Sequence, residues 1–338
     1  MVSASFVHER LVGSGAHHIY GSRCLVEMRR REGNVLKRVL VTGGAGFIGA
    51  HLVRKLLQLG YGVTVLDDLS SGKRENVPNA ATFVEGSILD SGSVRQALAD
   101  ADACIHLAAV SSVERCKRQL TSSHAINQTG FLRIIEELTL SRSALPLVYA
   151  SSAAVYGASQ DLPLSEHGNC APLSPYGADK LSCELHARAA YEVYGISTMG
   201  LRFFNVYGPG QDPASAYSGV IAKFAEGLKR GEEITIHGDG YQTRDFVYVD
   251  DVVGALVQAI GRWQTGASII NVCSGVETSI NDLARIMIEE TNARSGIRHV
   301  DGLLGEVRRS KGSVHALNAK LDYQCRTDLR TGLARLLQ

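Results

Sequence analysis

Lys37-Arg38-Val39-Leu40-Val41-Thr42-Gly43-Gly44-Ala45-Gly46-Phe47-Ile48-Gly49 carries the reading of this chain. Its apolar run, Arg38 to Val41, predicts a buried strand, and Gly43, Gly46 and Gly49 follow at G-x-x-G-x-x-G spacing. The amphipathic stretch Ala50 to Leu59 predicts a helix, with Gly60 as its stop. Strand, glycine loop and helix in that order place backbone N–H groups and a helix N-terminus where a pyrophosphate can sit. The next apolar run, Gly62 to Leu66, ends on Asp67-Asp68, and Asp67 lies eighteen positions past Gly49. An acidic residue there accepts from ribose hydroxyls and repels a 2′-phosphate, so NAD is expected over NADP. Lys73 and Arg74 nearby are the feature that favours NADP instead.

Working outward, further strand-like runs span Ala103 to Leu107, Pro146 to Ala150 and Ser197 to Phe204, with helical patterns between them. This alternation predicts an α/β fold, a doubly wound parallel (Rossmann) sheet with a smaller C-terminal α/β lobe. The dinucleotide-binding domain is expected over residues 37–205 plus about 243–275, and the lobe over about 206–242 and 276–338. Residues 1–36, with His17-His18 and Arg29-Arg30-Arg31, lack either period and read as a non-core extension.

The chain has 338 residues, 20% charged, with a formal net charge of +1, which gives no reason to expect nucleic acid or a membrane surface as the main partner. Its seven cysteines are scattered and form no C-x-x-C pair, so neither a disulfide framework nor a metal site is indicated. No apolar run is long enough to span a bilayer and no signal-peptide pattern opens the chain, so a cytoplasmic enzyme is expected.

Tyr176 and Lys180 stand at i and i+4, on one helical face. A cation beside a phenol favours the phenolate and so lowers its pKa, making a general base usable near neutral pH. Ser151-Ser152 follow the run ending at Ala150, about the distance upstream that a third hydrogen-bonding member needs.

Together, Thr42-Gly43-Gly44-Ala45-Gly46-Phe47-Ile48-Gly49, Ser151-Ser152-Ala153-Ala154-Val155-Tyr156-Gly157, Tyr176-x-x-x-Lys180 and Arg202-Phe203-Phe204-Asn205-Val206-Tyr207-Gly208-Pro209 resemble the extended short-chain dehydrogenase/reductase family. Within it the chain is most similar to the UDP-glucose and UDP-N-acetylhexosamine 4-epimerases, from about Lys37 to the C-terminus. The resemblance implies that Tyr176 is the base for the sugar 4-hydroxyl, Lys180 holds the nicotinamide ribose, and Ser152 relays the proton. It implies NAD contacts from Gly43, Gly46, Phe47, Ile48, Gly49, Asp67, Asp68, Ile88, Leu107, Ala108, Ala109 and Asn127. It implies contacts to a UDP-sugar from Asn205, Val220, Thr235, His237, Arg244, Arg308 and Ser310. It also implies a homodimer through helices, one carrying Tyr176 and Lys180, with Cys183, Leu185, Ala189 and Ala190 compatible with that face.

Dehydratases of this family place an Asp-Glu pair where this chain has Ala153-Ala154, and methyl groups transfer no protons. Epimerisation is therefore expected over dehydration. A net NAD(P)H-dependent 4-keto reductase using the same residues is the alternative. A glucuronate epimerase is disfavoured because Asp212 stands where a carboxylate substrate wants a cation. Three positions depart from the family pattern: Ser87, usually an aspartate beside adenine, Cys273, usually a glycine, and Leu303, often a second phosphate-binding arginine.

Overall fold

A computed structural model describes residues 37–142, 145–211, 219–302 and 307–338. The expectations resting on residues 1–36, Asp212 and Leu303 lie outside the described residues. The first half alternates as β1 (Arg38–Thr42), α1 (Phe47–Gln58), β2 (Gly62–Asp67), β3 (Thr82–Glu85), α2 (Ser91–Leu98) and β4 (Ala103–His106). Short helices α3 (Val113–Arg118) and α4 (Leu120–His124) lead to α5 (Gly130–Leu140), β5 (Leu147–Ser152), α6 (Pro175–Tyr194) and β6 (Thr198–Phe203). Then come β7 (Asn205–Tyr207), α7 (Val220–Lys229), β8 (Ile234–His237), β9 (Thr243–Arg244), β10 (Phe246–Tyr248) and α8 (Val249–Gly261). β11 (Ala267–Val272), β12 (Thr278–Ser279), α9 (Ile280–Thr291), β13 (Ile297–Val300), α10 (His315–Leu321) and α11 (Leu329–Leu337) complete the order.

Seven strands form one parallel sheet in the order β11-β6-β5-β4-β1-β2-β3. The chain winds outward from β1 to β3, then restarts at β4 on the other side. That reversal opens a crevice beyond the carboxyl ends of β1 and β4, the place where ligands bind in such sheets. Strand residues alternate between two cores. Val39, Val41, Val63, Val65 and Ile105 pack with Leu52 and Leu56 of α1 and with Val252 and Leu256 of α8. Leu40, Leu66, Cys104 and Tyr149 face Val94 of α2, Phe131 and Ile134 of α5, and Cys183 and Ala187 of α6.

A third cluster joins Ile221 and Phe224 of α7, Ile234 and Ile236 of β8, Phe246 and Tyr248 of β10, Leu283 and Met287 of α9, and Leu333 of α11. Two sheet strands were not visible as patterns. β3 is an edge strand whose residues are all at least partly exposed, so no core face selects its side chains. β11 closes the opposite edge with a buried C-terminal half and an open start. Among the described residues no helix is long and apolar enough to cross a membrane.

Candidate active site

The crevice is a cleft of about 1370 Å3, larger than the roughly 300–1,000 Å3 typical of one small-molecule site, so it has room for two ligands side by side. Gly43, Gly46, Phe47, Ile48, Gly49, Asp67, Asp68, Ile88, Leu107, Ala108 and Ala109 all line it. The turn leaving β1 depends on two glycines. Gly43 adopts φ +71° with its backbone against Ala108, and a Cβ on Gly49 would stand 2.1 Å from the Gly43 carbonyl oxygen. Gly46 caps α1 with no side-chain hydrogen bond, which leaves first-turn N–H groups facing the cleft. Asp67 is held at the end of β2 by N–H donors from Ala45 and Leu69, each at 2.9 Å. Burial raises its pKa and these two bonds lower it.

Asn127 is not on the cleft wall. It is buried in α4–α5 packing, and its amide clamps Val110 by accepting from Val110 N at 2.8 Å and donating to Val110 O at 3.2 Å. It therefore shapes the wall through Val110, which does line the cleft. Ser87 also stands off the wall, accepting from Leu89 N at 3.2 Å in its own turn, while Gly86 and Ile88 face inward. Sequence reasoning missed the support behind Ala108. Thr42 Oγ1 accepts from Ala108 N at 3.3 Å and shares a hydrogen bond with His106 Nδ1, 2.7 Å away. Burial and the nearby Lys180 charge push His106 down to about 3, which keeps the ring neutral.

Ser152 ends β5, and its Oγ accepts from Ala154 N at 3.1 Å, opening the short turn Ala153–Tyr156. α6 starts beside it, capped by Ser174 accepting from Gly177 N, with Pro175 in the first turn. A Cβ on Gly177 would lie 2.6 Å from the Ala154 carbonyl oxygen, so glycine there lets the helix start press against the turn after Ser152. Tyr176 and Ser152 thus meet in the cleft, and the Ser152 hydrogen bond lowers the phenol pKa.

The expected depression by Lys180 is not what the structure delivers. Lys180 Nζ is 5.8 Å from the Tyr176 ring centre and donates to Ala150 O at 2.9 Å. Burial dominates and pushes the phenol up to about 12, while it lowers the pKa of Lys180. Desolvation of the phenolate outweighs the Ser152 hydrogen bond, the contribution that favours it.

On the far side, Asn205, His237, Arg244 and Ser310 line the cleft. Arg244 Nη1 donates to the carbonyls of Thr243 and Val307, both at 2.7 Å. Its neighbour Asp245 accepts instead from Ser274 (N and Oγ), Gly275 N and Gly312 N. Val220, Thr235 and Arg308 are outside the wall. Val220 packs into the third apolar cluster, Thr235 accepts from Arg298 Nη2 at 3.4 Å, and Arg308 chelates Asp239 at 2.7 and 2.8 Å. Wall residues that the sequence did not single out include Leu164, Leu173, Phe204, Gln211 and Lys223. Lys223 sits on the amphipathic helix α7 and stays exposed, so the sequence reads it as a solvated lysine, and only the fold puts it at the cleft.

The geometry fits a dinucleotide. A Cβ on Gly46 would meet only the Gly43 oxygen, at 3.3 Å, so open wall rather than core packing surrounds this glycine. Asp67 keeps lone pairs beyond its two backbone bonds for a ribose diol.

Comparison with known proteins agrees. A family model described as the NAD dependent epimerase/dehydratase family matches residues 39–273. The UDP-glucose 4-epimerase of Mycolicibacterium smegmatis is 36% identical over 308 residues, covering 89% of this chain and 97% of that protein. A crystal structure of the Thermotoga maritima UDP-glucose 4-epimerase with UDP-glucose superposes with TM-score 0.85 at 36% identity, over 89% of this chain and 97% of that one. A dTDP-glucose 4,6-dehydratase of Streptomyces antibioticus is 31% identical over 88% of this chain and 91% of its own length. With a family model matched over most of the chain and relatives 36% identical over nearly their whole length, the chain belongs to the NAD-dependent epimerase/dehydratase family.

Proposed function

We propose that the protein interconverts C4 epimers of a UDP-hexose, UDP-glucose with UDP-galactose and their N-acetylated counterparts. The observation that carries this reading is the turn after Ser152, where Ala153 and Ala154 present methyl groups to the cleft. Elimination of water needs an extra acid and base there, whereas epimerisation needs only one proton acceptor and a hydride carrier. The carboxylates on the described wall are Asp67 and Asp68 at the dinucleotide end and Glu114, which pairs with Arg118 at 3.0 Å.

NAD supplies reversible hydride uptake at the sugar C4. Tyr176 accepts the 4-hydroxyl proton and returns it, and Ser152 holds the same oxygen and passes the proton between them. In this reading Lys180 bonds the nicotinamide ribose. Asn205 and Arg244 take the diphosphate, with Arg244 offering a planar cation. Ser310, small and buried, leaves space for an N-acetyl group. The lobe built on the third apolar cluster carries the nucleotide-sugar contacts.

The chain is further proposed to act as a cytoplasmic homodimer. Leu120 on α4 and Leu185 and Val193 on α6 are exposed, at 57%, 64% and 69%. Cys183 and Ala190, which the sequence left open to that face, are buried in the core instead. Sedimentation of a monomer alone would remove this part.

Incubation with UDP-galactose and with UDP-N-acetylgalactosamine, without added NADH, tests the reaction. Formation of the glucose epimers is the expected result, and no interconversion of either pair refutes it. In a separate assay, stoichiometric consumption of added NADH by a nucleotide 4-keto sugar would identify the 4-keto reductase instead.

A further inference from the structure

Behind the cleft, one buried carboxylate joins the segments that carry the chemistry proposed above. Glu184 lies on α6, four residues beyond Lys180 and eight beyond Tyr176. Its Oε1 accepts from Ser151 Oγ at 2.5 Å and from Arg202 Nε at 2.9 Å, and its Oε2 accepts from Arg202 Nη2 at 2.7 Å. Ser151, Glu184 and Arg202 are all buried. Ser151 directly precedes Ser152 on β5, and the sheet register sets Ser151 beside Arg202 on β6, three residues before Asn205. Arg202 also stacks 4.7 Å over the Tyr156 ring and donates to Glu166 O at 3.4 Å.

This pairing is an unusual way to hold a helix on a sheet. Buried ion pairs add little stability over apolar residues of the same volume, because both charges lose water. What a two-point guanidinium–carboxylate contact adds is direction. Direction matters here because the apolar part of the face that α6 buries is made of small side chains, Gly177, Cys183, Ala187 and Ala190, beside the polar Asp179 and Lys180. Small side chains make few contacts that fix a register, so the polar contacts to β5 and β6, Lys180 with Ala150 O and Glu184 with Ser151 and Arg202, set where the helix sits along the sheet. Sliding α6 changes the separation between Tyr176 and Ser152, and that separation governs proton transfer.

We propose that Glu184 is a positioning residue: through Ser151 and Arg202 it sets the register of α6 against β5, and hence the Tyr176–Ser152 geometry. The inference rests on the roles given above to Tyr176 and Ser152, not on the identity of the sugar.

The test compares NAD-loaded wild type with Glu184→Gln and with the double variant Glu184→Met/Arg202→Met, which fills the same space without charge. The readouts are kcat and KM for UDP-galactose, the isotope effect with substrate deuterated at C4, and the Tyr176 phenolate titration, read as the absorbance difference from Tyr176→Phe. In Glu184→Gln, kcat per NAD-loaded site is expected to fall about 30- to 100-fold, as for a displacement near 1 Å. KM should stay within about threefold, because the interaction lost acts on the chemical step. The isotope effect should grow, and the phenol should titrate at higher pH as its bond to Ser152 weakens. The double variant should fold stably and remain slow. Wild-type kcat in the double variant, or an unmoved phenol titration in both variants, overturns the proposal even if Glu184→Gln folds poorly. A wild type inert toward UDP-hexoses removes the substrate reading, and the phenol titration then decides this one alone.

Discussion

The two ends of the cleft are built in different ways. The dinucleotide end comes mostly from one continuous stretch, β1 through β2, where glycine spacing, helix start and Asp67 all lie within thirty residues. Its contacts are largely backbone, so they follow from where the chain turns. The opposite end, proposed above to take the nucleotide sugar, draws on Asn205, Lys223, His237, Arg244 and Ser310, side chains carried by separate elements and loops. The local end tolerates little change in backbone, whereas the assembled end depends on long-range packing and tolerates loop variation.

Substitutions can break that contrast, beginning at the point where the two ends meet. Tyr176→Phe removes the proton acceptor while keeping the ring, so kcat should fall roughly 10²- to 10⁴-fold with NAD content unchanged. Turnover and the absorbance of bound nucleotide, measured on one preparation, check both halves of the statement. Arg244→Met acts at the assembled end. Losing a charged hydrogen bond of about 1.5–3 kcal/mol should raise KM for the nucleotide sugar about 10- to 100-fold, with a smaller change in kcat. Steady-state kinetics at two salt concentrations would show it, and an unchanged KM would take Arg244 out of the site.

The glycines separate packing from ligand approach. Gly49→Ala drives a methyl into the Gly43 carbonyl and should destabilise by about 1–3 kcal/mol, visible as a lower Tm with or without NAD. Gly46→Ala meets only one atom at 3.3 Å, so its Tm without NAD should stay near wild type while NAD retention falls. Equal effects from the two would end the distinction.

The smallest expected effect is a shift in pH dependence. Because the base must be ionised, turnover rises with pH through the Tyr176 pKa. Ser152 lowers that pKa and burial raises it to about 12 in the protein alone. Ser152→Ala should therefore move the rising limb of kcat to higher pH, and binding of NAD with its cationic nicotinamide ring near the phenol should move the phenol titration to lower pH. A limb that stays put in Ser152→Ala would argue that Ser152 does not face the ionising oxygen.

Much of this was legible residue by residue. β1, β2, β4, β5 and β6 follow from apolar runs, because a strand buried on both faces has little choice of side chain. The cofactor wall followed too, apart from Asn127, which holds Val110 from behind instead of facing the cleft. β3 and β11 escaped because edge strands bury too little to leave a pattern. Arg308 illustrates a different failure: its charge suggested a phosphate, but the fold places Asp239 within reach of both its terminal nitrogens.

By itself, then, the sequence determined the sheet class, the glycine turn, the acidic anchor and the Ser152–Tyr176–Lys180 grouping. These depend on local periodicity and on backbone geometry that few residues permit. Only the tertiary structure decided which side chains line the far end of the cleft, that burial outweighs the Ser152 hydrogen bond at the Tyr176 phenol, and that Glu184 meets Ser151 and Arg202. Each of those is a balance between desolvation and contacts from distant segments, and that balance is struck only once the chain has packed.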